Sequence, residues 1–305
     1  MEKRRIGSLE VTVAGLGCNN FGWRIDAAAS AKVVDAALDA GINFFDTADI
    51  YDQGHSEEYL SRALGGRRKD VIVATKFGMK MGEGKEGARP EYIRQAVEDS
   101  LRRLQTDYVD LYQLHRPDPA NVPIADTLGA LDELVKAGKV REIGASNFGP
   151  DQIRESLAAA APGAARFVSV QNNYSLLHRE PENGVIAECR STGMALIPYF
   201  PLANGLLTGK YRKGEPLPKG SRGDAGWGPK VFTEENLAKV EGLTRFAESR
   251  GRTLLELAFC WLLAQPTVAS VIAGASRPDQ ARGNAEAVNW RLTATDLADL
   301  DKLLA

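Results

Sequence analysis

Cysteine is scarce in this chain: only Cys18, Cys189 and Cys260 occur in 305 residues. They are odd in number and far apart, which excludes a disulfide framework. With no CxxC or Cys/His spacing, a structural zinc site is excluded as well, and no metal is expected. No uncharged apolar run approaches the roughly 20 residues a membrane span needs. The basic start at residues 1–5 leads into Ile6-Gly7-Ser8-Leu9-Glu10, which lacks the apolar stretch of a secretory leader. A soluble protein of a reducing, cytoplasmic compartment is expected. Nor is one sign of charge in excess. Lys and Arg number 38 against 40 Asp and Glu, a net charge of -2, which argues against nucleic acid or an anionic membrane as partner. Low-complexity tracts and domain linkers are missing, and no feature specifies an oligomeric state. The dinucleotide-binding GxGxxG fingerprint is also missing, since Gly15-Leu16-Gly17 lacks its third glycine.

What is present is an ordinary globular composition, 44% hydrophobic and 26% charged. It is arranged as a long alternation of strand and helix patterns. Apolar or β-branched runs at 11–16, 42–45, 71–74, 109–114, 140–144, 167–171, 195–199 and 270–273 read as strands. Amphipathic patterns at 28–40, from Ser56, and at 90–104, 124–137, 150–160, 183–191, 234–249, 254–263, 278–287 and 294–304 read as helices. Gly41 is placed as a helix terminator, and Ser56, ahead of Glu57 and Glu58, as a helix cap. About eight βα units without a break predict a closed (β/α)8 barrel, one domain over 1–305, in place of an open doubly wound sheet. One long non-periodic stretch, 204–232, is rich in Gly, Pro and Lys. Loops of that length in compact domains are usually functional.

Barrel enzymes carry their sites at the C-terminal ends of the strands. Here the expected strands end in Asp46, Lys76, His115, Asn147, Asn172 and Tyr199, with Tyr51 shortly after Asp46. Singly, each residue has a plain alternative, Asp46 as a turn cap or Tyr51 as a packing residue. Together they form an acid–base set. An ammonium beside a phenol stabilises the phenolate and is expected to lower the tyrosine pKa. A carboxylate keeps that ammonium charged, and an imidazole directs a carbonyl oxygen or relays a proton.

These residues resemble the aldo-keto reductase superfamily over nearly the whole chain. The resemblance lies in Gly41-Ile42-Asn43-Phe44-Phe45-Asp46-Thr47-Ala48 with Tyr51 and Ser56-Glu57, and in Ala74-Thr75-Lys76-Phe77-Gly78. It continues in Leu111-Tyr112-Gln113-Leu114-His115 and in Gly138-Lys139-Val140-Arg141 with Gly144-Ala145-Ser146-Asn147-Phe148. It implies a TIM barrel whose bottom is closed by an N-terminal β-hairpin over residues 3–13. It also implies reduction of an aldehyde or ketone by hydride from C4 of a nicotinamide, with Tyr51 as general acid, Lys76 and Asp46 tuning it, and His115 binding the carbonyl.

The resemblance further implies that Ser146, Asn147 and Gln171 hold the carboxamide and that Tyr199 stacks on the nicotinamide. Leu202, Gly205, Leu207 and Lys210 would form the loop over the pyrophosphate. Ser276, Arg277, Gln280 and Asn284 would hold the adenosine end. Residues 205–210 superficially look like a phosphate-binding P-loop, but the segment is one residue short and Tyr211 replaces Ser/Thr, so an NTPase is rejected. Ser276 through Asp279 also reads as a variant capping box. Arg277 opposes a helix dipole, which makes sense for binding the 2′-phosphate of NADPH and favours NADPH over NADH. Gly274 and Phe200 depart from the family pattern, replacing a common lysine and serine at the phosphate site. Substrate specificity is expected from the loops at 80–89 and 211–231 and from Asn20, Trp23 and Trp227. Two other readings stand beside the reductase: a nucleotide-sensing regulatory subunit, since some relatives partner potassium channels, and an aldolase using Lys76 as a Schiff base.

Overall fold

The computed structural model describes residues 1–118, 120, 122–212, 214–219, 221, 223–224, 226 and 231–304. The chain begins with an antiparallel hairpin, β1 (Lys3–Ile6) and β2 (Leu9–Thr12), in register Ile6 to Leu9 and Lys3 to Thr12. Its turn uses Gly7 at a φ of +56°, and Ser8 N donates to Glu142 Oε1 at 2.7 Å, tying the hairpin to a barrel strand. The positive φ at Gly7 disfavours any other residue, and a Cβ there would lie 2.6 Å from that same carboxylate, which would have to shift.

Eight parallel strands follow: β3 (Ala14–Gly17), β4 (Phe44–Asp46), β5 (Ile72–Phe77), β6 (Val109–Leu114), β7 (Val140–Ser146), β8 (Phe167–Asn173), β9 (Ala195–Tyr199) and β10 (Val271–Gly274). Each pairs with its predecessor from β4 to β9, and β10 returns to pair with β3. Leu196 N donating to Thr267 O and Ala269 N to Leu196 O join β9 to the segment ahead of β10, which completes the barrel. The helices are α1 (Ala27–Asp39), α2 (His55–Leu64), α3 (Pro90–Leu104), α4 (Ile124–Lys136), α5 (Pro150–Ala159), α6 (Val185–Thr192), α7 (Glu234–Glu248), α8 (Leu254–Leu263), α9 (Pro278–Glu286) and α10 (Ala294–Leu304). Local chemistry sets their ends. Asp26 caps α1, Thr253 and Glu256 form a capping box on α8, and Pro90, Pro150 and Pro278 occupy first turns. Gly41, at a φ of +82°, stops α1 as expected. No helix among the described residues is long and apolar enough to cross a membrane.

Two buried clusters result. The larger lies between the strands and the helices. The smaller fills the barrel, where Ile6, Leu9 and Val11 of the hairpin plug the bottom beneath Phe44, Ala74, Leu111, Ile197 and Ile272. The hairpin and barrel expected from the resemblance are both present.

Three local expectations need correction. The apolar run 11–16 is two strands, because Val11 and Thr12 finish the hairpin while Ala14 starts the barrel. The Val13 amide turns to Glu2 O between them, and apolar alternation does not register such a break. Ser56 does not cap α2. That helix starts a residue earlier behind Gly54, and the buried Ser56 hydroxyl donates to Cys18 O and pairs with Thr47 Oγ1. The apolar runs 71–74, 140–144 and 167–171 are only the cores of β5, β7 and β8, which extend through the polar residues expected at their ends, so Lys76 and Ser146 are strand residues. The stretch 204–232 opens as a kinked 3-10 turn over Ala203–Thr208.

Candidate active site

Strand periodicity builds the site. Residues two apart in a strand share a face, so one layer above Phe44, Ala74, Leu111 and Ile197 come Asp46, Lys76, Gln113 and Tyr199. Parallel pairing puts Asp46 beside Ala74, Lys76 beside Gln113 and Ser146 beside Gln171. An apolar plug therefore gives way, within one residue pair, to a ring of polar groups at the C-terminal mouth.

At its centre is a buried ion pair. Lys76 Nζ donates to Asp46 Oδ1 at 2.5 Å and to Thr47 O at 2.9 Å, and neither side chain is more than 3% exposed. The other Asp46 oxygen accepts from Gln171 Nε2 at 2.8 Å and Gln113 Nε2 at 3.2 Å. A buried pair survives only when its remaining hydrogen-bond valences are met, and here they are. Burial alone would strip the lysine of its charge, but Asp46 and Tyr51 outweigh it and the Lys76 pKa rises.

Tyr51 follows β4 in a tight turn whose next residues, Asp52 and Gln53, are left-handed. Its ring lies 5.2 Å from Lys76 Nζ and meets His115 edge to face at 5.9 Å. Burial pushes the phenol above its ordinary value, and the Lys76 charge pulls back without reversing the shift. The lowering expected from the sequence is thus outweighed by burial, and the phenol stays protonated at neutral pH. His115, just beyond β6, is driven down to about 3, first by burial and then by the Lys76 and Arg116 charges. It is a neutral imidazole in the physiological range. Its Nδ1 meets no partner among the described residues.

Next to this group, Asn147 (φ +61°) bridges three strands. Its Nδ2 donates to His115 O at 2.9 Å, its Oδ1 accepts from Tyr199 Oη at 2.8 Å, and its amide donates to Gln171 O at 3.0 Å. Ser146 Oγ donates to Gln171 O at 2.7 Å. A cleft of about 640 Å³ runs from Tyr51 across the mouth to α9, within the range of small-molecule sites. It is lined by Asp46, Tyr51, His115, Ser146, Asn147, Gln171, Tyr199, Leu202, Gly205, Lys210, Ser276, Arg277, Gln280, Asn284 and Asn20.

Lys76 lies behind that wall. Leu207 is fully buried in the core and does not line the cleft, because the kinked turn aims it at the barrel helices. Trp23 is 43% exposed and outside the lining, and Trp227 lies outside the described residues. At the far end, Gln280 Oε1 accepts from Ser276 N and Oγ. Arg277, the N-cap of α9, pairs with Asp279 at 2.9 Å on the surface. The capping-box reading is corrected: Gln280, not Asp279, reaches back to Ser276.

Sequence reasoning did not single out Gln113, which was legible from strand parity as a partner of Asp46, nor Arg24, which lines the cleft from the aperiodic β3–α1 loop; the Asn19-Asn20 pair of that loop, noted in the sequence for its polarity, lines the cleft too.

The donor set fits a nicotinamide nucleotide. Amide and hydroxyl groups sit at the Tyr51 end beside the Tyr199 ring, and Lys210 and Arg277 supply cations toward α9. Gly205 (φ +94°) leaves backbone open between them. A match to the Aldo/keto reductase family model spans residues 14–305. The chain belongs to the aldo/keto reductase family. Among curated relatives, the aldo-keto reductase YhdN of Bacillus subtilis is 36% identical over 97% of this chain and 91% of its own. The NADH-specific methylglyoxal reductase of Escherichia coli is 34% identical over 97% and 96%. Among solved structures, the holo form of aldo-keto reductase AKR11C1 from Bacillus halodurans superposes with a TM-score of 0.82, at 38% identity over 99% of this chain and 96% of that one. As a family member, this reductase is a nicotinamide-nucleotide-dependent oxidoreductase acting on carbonyl groups.

Of the buried acids outside this machinery, Glu57 and Asp110 pair with arginines, whereas Asp49 has no ion-pair partner among the described residues. Asp49 is 1% exposed, and neither of its oxygens meets a hydrogen-bond partner among the described residues. Burial, and then Glu57, push it up to about 8. The folded state therefore holds a proton that the unfolded chain releases between the ordinary carboxylate value and about 8, and stability falls as pH rises through that window. Asp49→Asn is expected to gain stability over wild type with rising pH, on the order of 1 kcal/mol per pH unit across it. Urea titrations of both proteins from pH 4.5 to 7.5 check this; a constant difference would contradict it.

Proposed function

We propose that this chain reduces an aldehyde or ketone with NADPH, and that Tyr51 gives the proton. The observation that carries the reading is a protonated Tyr51 on the cleft wall beside a charged, fully bonded Lys76–Asp46 pair and a neutral His115. A nicotinamide held there would provide the hydride equivalent, delivered from C4 to the carbonyl carbon. As that bond forms, the carbonyl π pair moves onto oxygen, which takes the Tyr51 proton and leaves the alcohol. The phenolate is stabilised by the Lys76 ammonium and regains its proton from solvent. His115, neutral, offers an N–H to orient the carbonyl oxygen and is not the acid. Lys76 and Asp46 act through Tyr51 as positioning residues. Ser146, Asn147 and Gln171 hold the carboxamide and Tyr199 the ring face. Leu202, Gly205 and Lys210 hold the pyrophosphate, and Ser276, Arg277, Gln280 and Asn284 the adenosine phosphate end. A Schiff base at Lys76 is disfavoured, because Asp46 keeps that amine charged and unreactive.

Preference for NADPH rests on Arg277. A relative named for NADH specificity shows that family membership alone does not decide it. Arg277 must leave Asp279 to reach a phosphate, an exposed exchange of small cost. Arg277→Ala is expected to raise the NADPH Kd by about 10- to 100-fold while changing NADH little. Fluorescence titration with both nucleotides tests this, and equal losses would remove the 2′-phosphate role. The overall reading is tested by NADPH oxidation with a panel of carbonyls, for wild type and Tyr51→Phe.

A further inference from the structure

Behind the turn that carries Tyr51, two carboxyl groups share one arginine. Thr47 N donates to Ala74 O at 2.9 Å and Asp49 N to Lys76 O at 3.2 Å, so the chain beyond β4 stays extended along β5. Extended backbone sends alternate side chains to opposite faces. Asp46 faces into the barrel, whereas Thr47 and Asp49 face the layer between strands and helices, where Thr47 Oγ1 meets Ser56 Oγ of α2 at 2.8 Å. Tyr51 follows two residues after Asp49, and the left-handed Asp52, Gln53 and Gly54 then lead into α2.

The charges in that layer balance only when Asp49 is neutral. From α2 comes Glu57, fully buried, which accepts from Thr75 Oγ1 at 2.5 Å and from Arg103 Nε at 2.6 Å. From α3 come Arg103 and the Tyr92 phenol, and from β6 the Tyr112 phenol. Burial first, and then the Asp49 charge, push both phenols above their ordinary value. The Tyr112 hydroxyl, like both Asp49 oxygens, is buried and meets no hydrogen-bond partner among the described residues. The Lys76 ammonium also acts on Asp49, but it is bound to Asp46 and to Thr47 O. Arg103 therefore answers Glu57, and an ionised Asp49 is a second buried anion with no cation of its own. A folded chain relieves such a state by protonation or by movement.

Movement there is movement of the turn. Arg103 lies so close to Gly54 that a Cβ on that glycine would come within 2.5 Å of Arg103 Cδ. An arginine that swings toward Asp49 leaves the end of the turn unsupported. An Asp49 that turns toward solvent draws along the backbone two residues ahead of Tyr51.

Resting on the reductase reading above, we propose that Asp49 is a positioning residue for Tyr51: its neutral carboxyl keeps the 47–54 turn closed with the phenol at the cleft, and its ionisation opens the turn and switches reduction off. Asp49 holds its proton up to about 8, so the active arrangement is present below that value and lost as pH rises through it. The Tyr51 phenol, held above its ordinary value, is still protonated there, so the loss is not its own titration.

The test is the pH profile of kcat/KM for wild type and Asp49→Asn, whose amide keeps the shape and does not ionise. The substrate is 4-nitrobenzaldehyde, which has no group titrating between about pH 6.5 and 9.5. Amide hydrogen exchange of the 47–54 segment is measured in both proteins at about pH 7 and 9. Wild-type kcat/KM is expected to fall about tenfold per pH unit above a midpoint of about 8, while Asp49→Asn matches wild type within about twofold at neutral pH and stays level above it. At the higher pH the segment is expected to exchange about tenfold faster in wild type than in Asp49→Asn, with no difference at neutral pH. A level wild-type profile, or the same fall in both proteins, overturns the inference and leaves the reductase reading standing. Absence of turnover at every pH counts against the reductase reading, and exchange still decides whether Asp49 holds the turn: equal rates in the two proteins at the higher pH overturn it.

Discussion

Replacing Tyr51 by Phe is expected to lower kcat for carbonyl reduction by about three orders of magnitude, in the middle of the range a general acid contributes. NADPH binding should stay within about twofold. The ring keeps its edge contact with His115 and its place near Lys76, so only the hydroxyl proton is lost. Tyr51 keeps its proton at neutral pH, and His115, driven down to about 3, is neutral there and carries no imidazolium proton to give in its place. Single-turnover reduction, with the nucleotide titrated separately, checks both halves. Retained wild-type kcat would move the acid elsewhere.

Lys76→Met is expected to damage fold and chemistry together. It leaves the Asp46 carboxylate buried with only the Gln113 and Gln171 amides to meet it, and removing one partner of a buried pair costs about 3–5 kcal/mol. Without the ammonium, the Tyr51 phenolate left by proton transfer has no compensating charge, and kcat falls about 100-fold or more. Denaturant titration and steady-state rates report the two effects separately. A stability change below about 1 kcal/mol would mean that solvent reaches Asp46 and that the pair is not insulated.

Much of this site was legible because strand parity and strand ends are local properties. Phe44 and Asp46, Ala74 and Lys76, and Leu111 and Gln113 each stand two apart, so an apolar residue announces the face on which its polar successor points. The barrel itself followed from unbroken alternation. What failed depended on contacts distant in sequence. The Ser56 hydroxyl looks like a cap over a window of four residues, yet it is claimed by Cys18 O, 38 positions away. Leu207 looks like a cofactor contact by its place in a glycine-rich loop, but the kink at Asn204 and Gly205 turns it inward. The sign of the Tyr51 shift needed the depth of its burial, which no pattern encodes. Arg24 sits in an aperiodic loop, and only the fold brings it to the cleft.

The most direct measurement is NADPH binding by fluorescence followed by NADPH oxidation with a panel of aldehydes and ketones, using wild type and Tyr51→Phe in parallel. The account predicts tight binding by both proteins and turnover by wild type alone. Tight binding with no turnover of any carbonyl would point to a nucleotide-sensing role, and equal turnover by the two proteins would contradict the assignment of Tyr51 as proton donor.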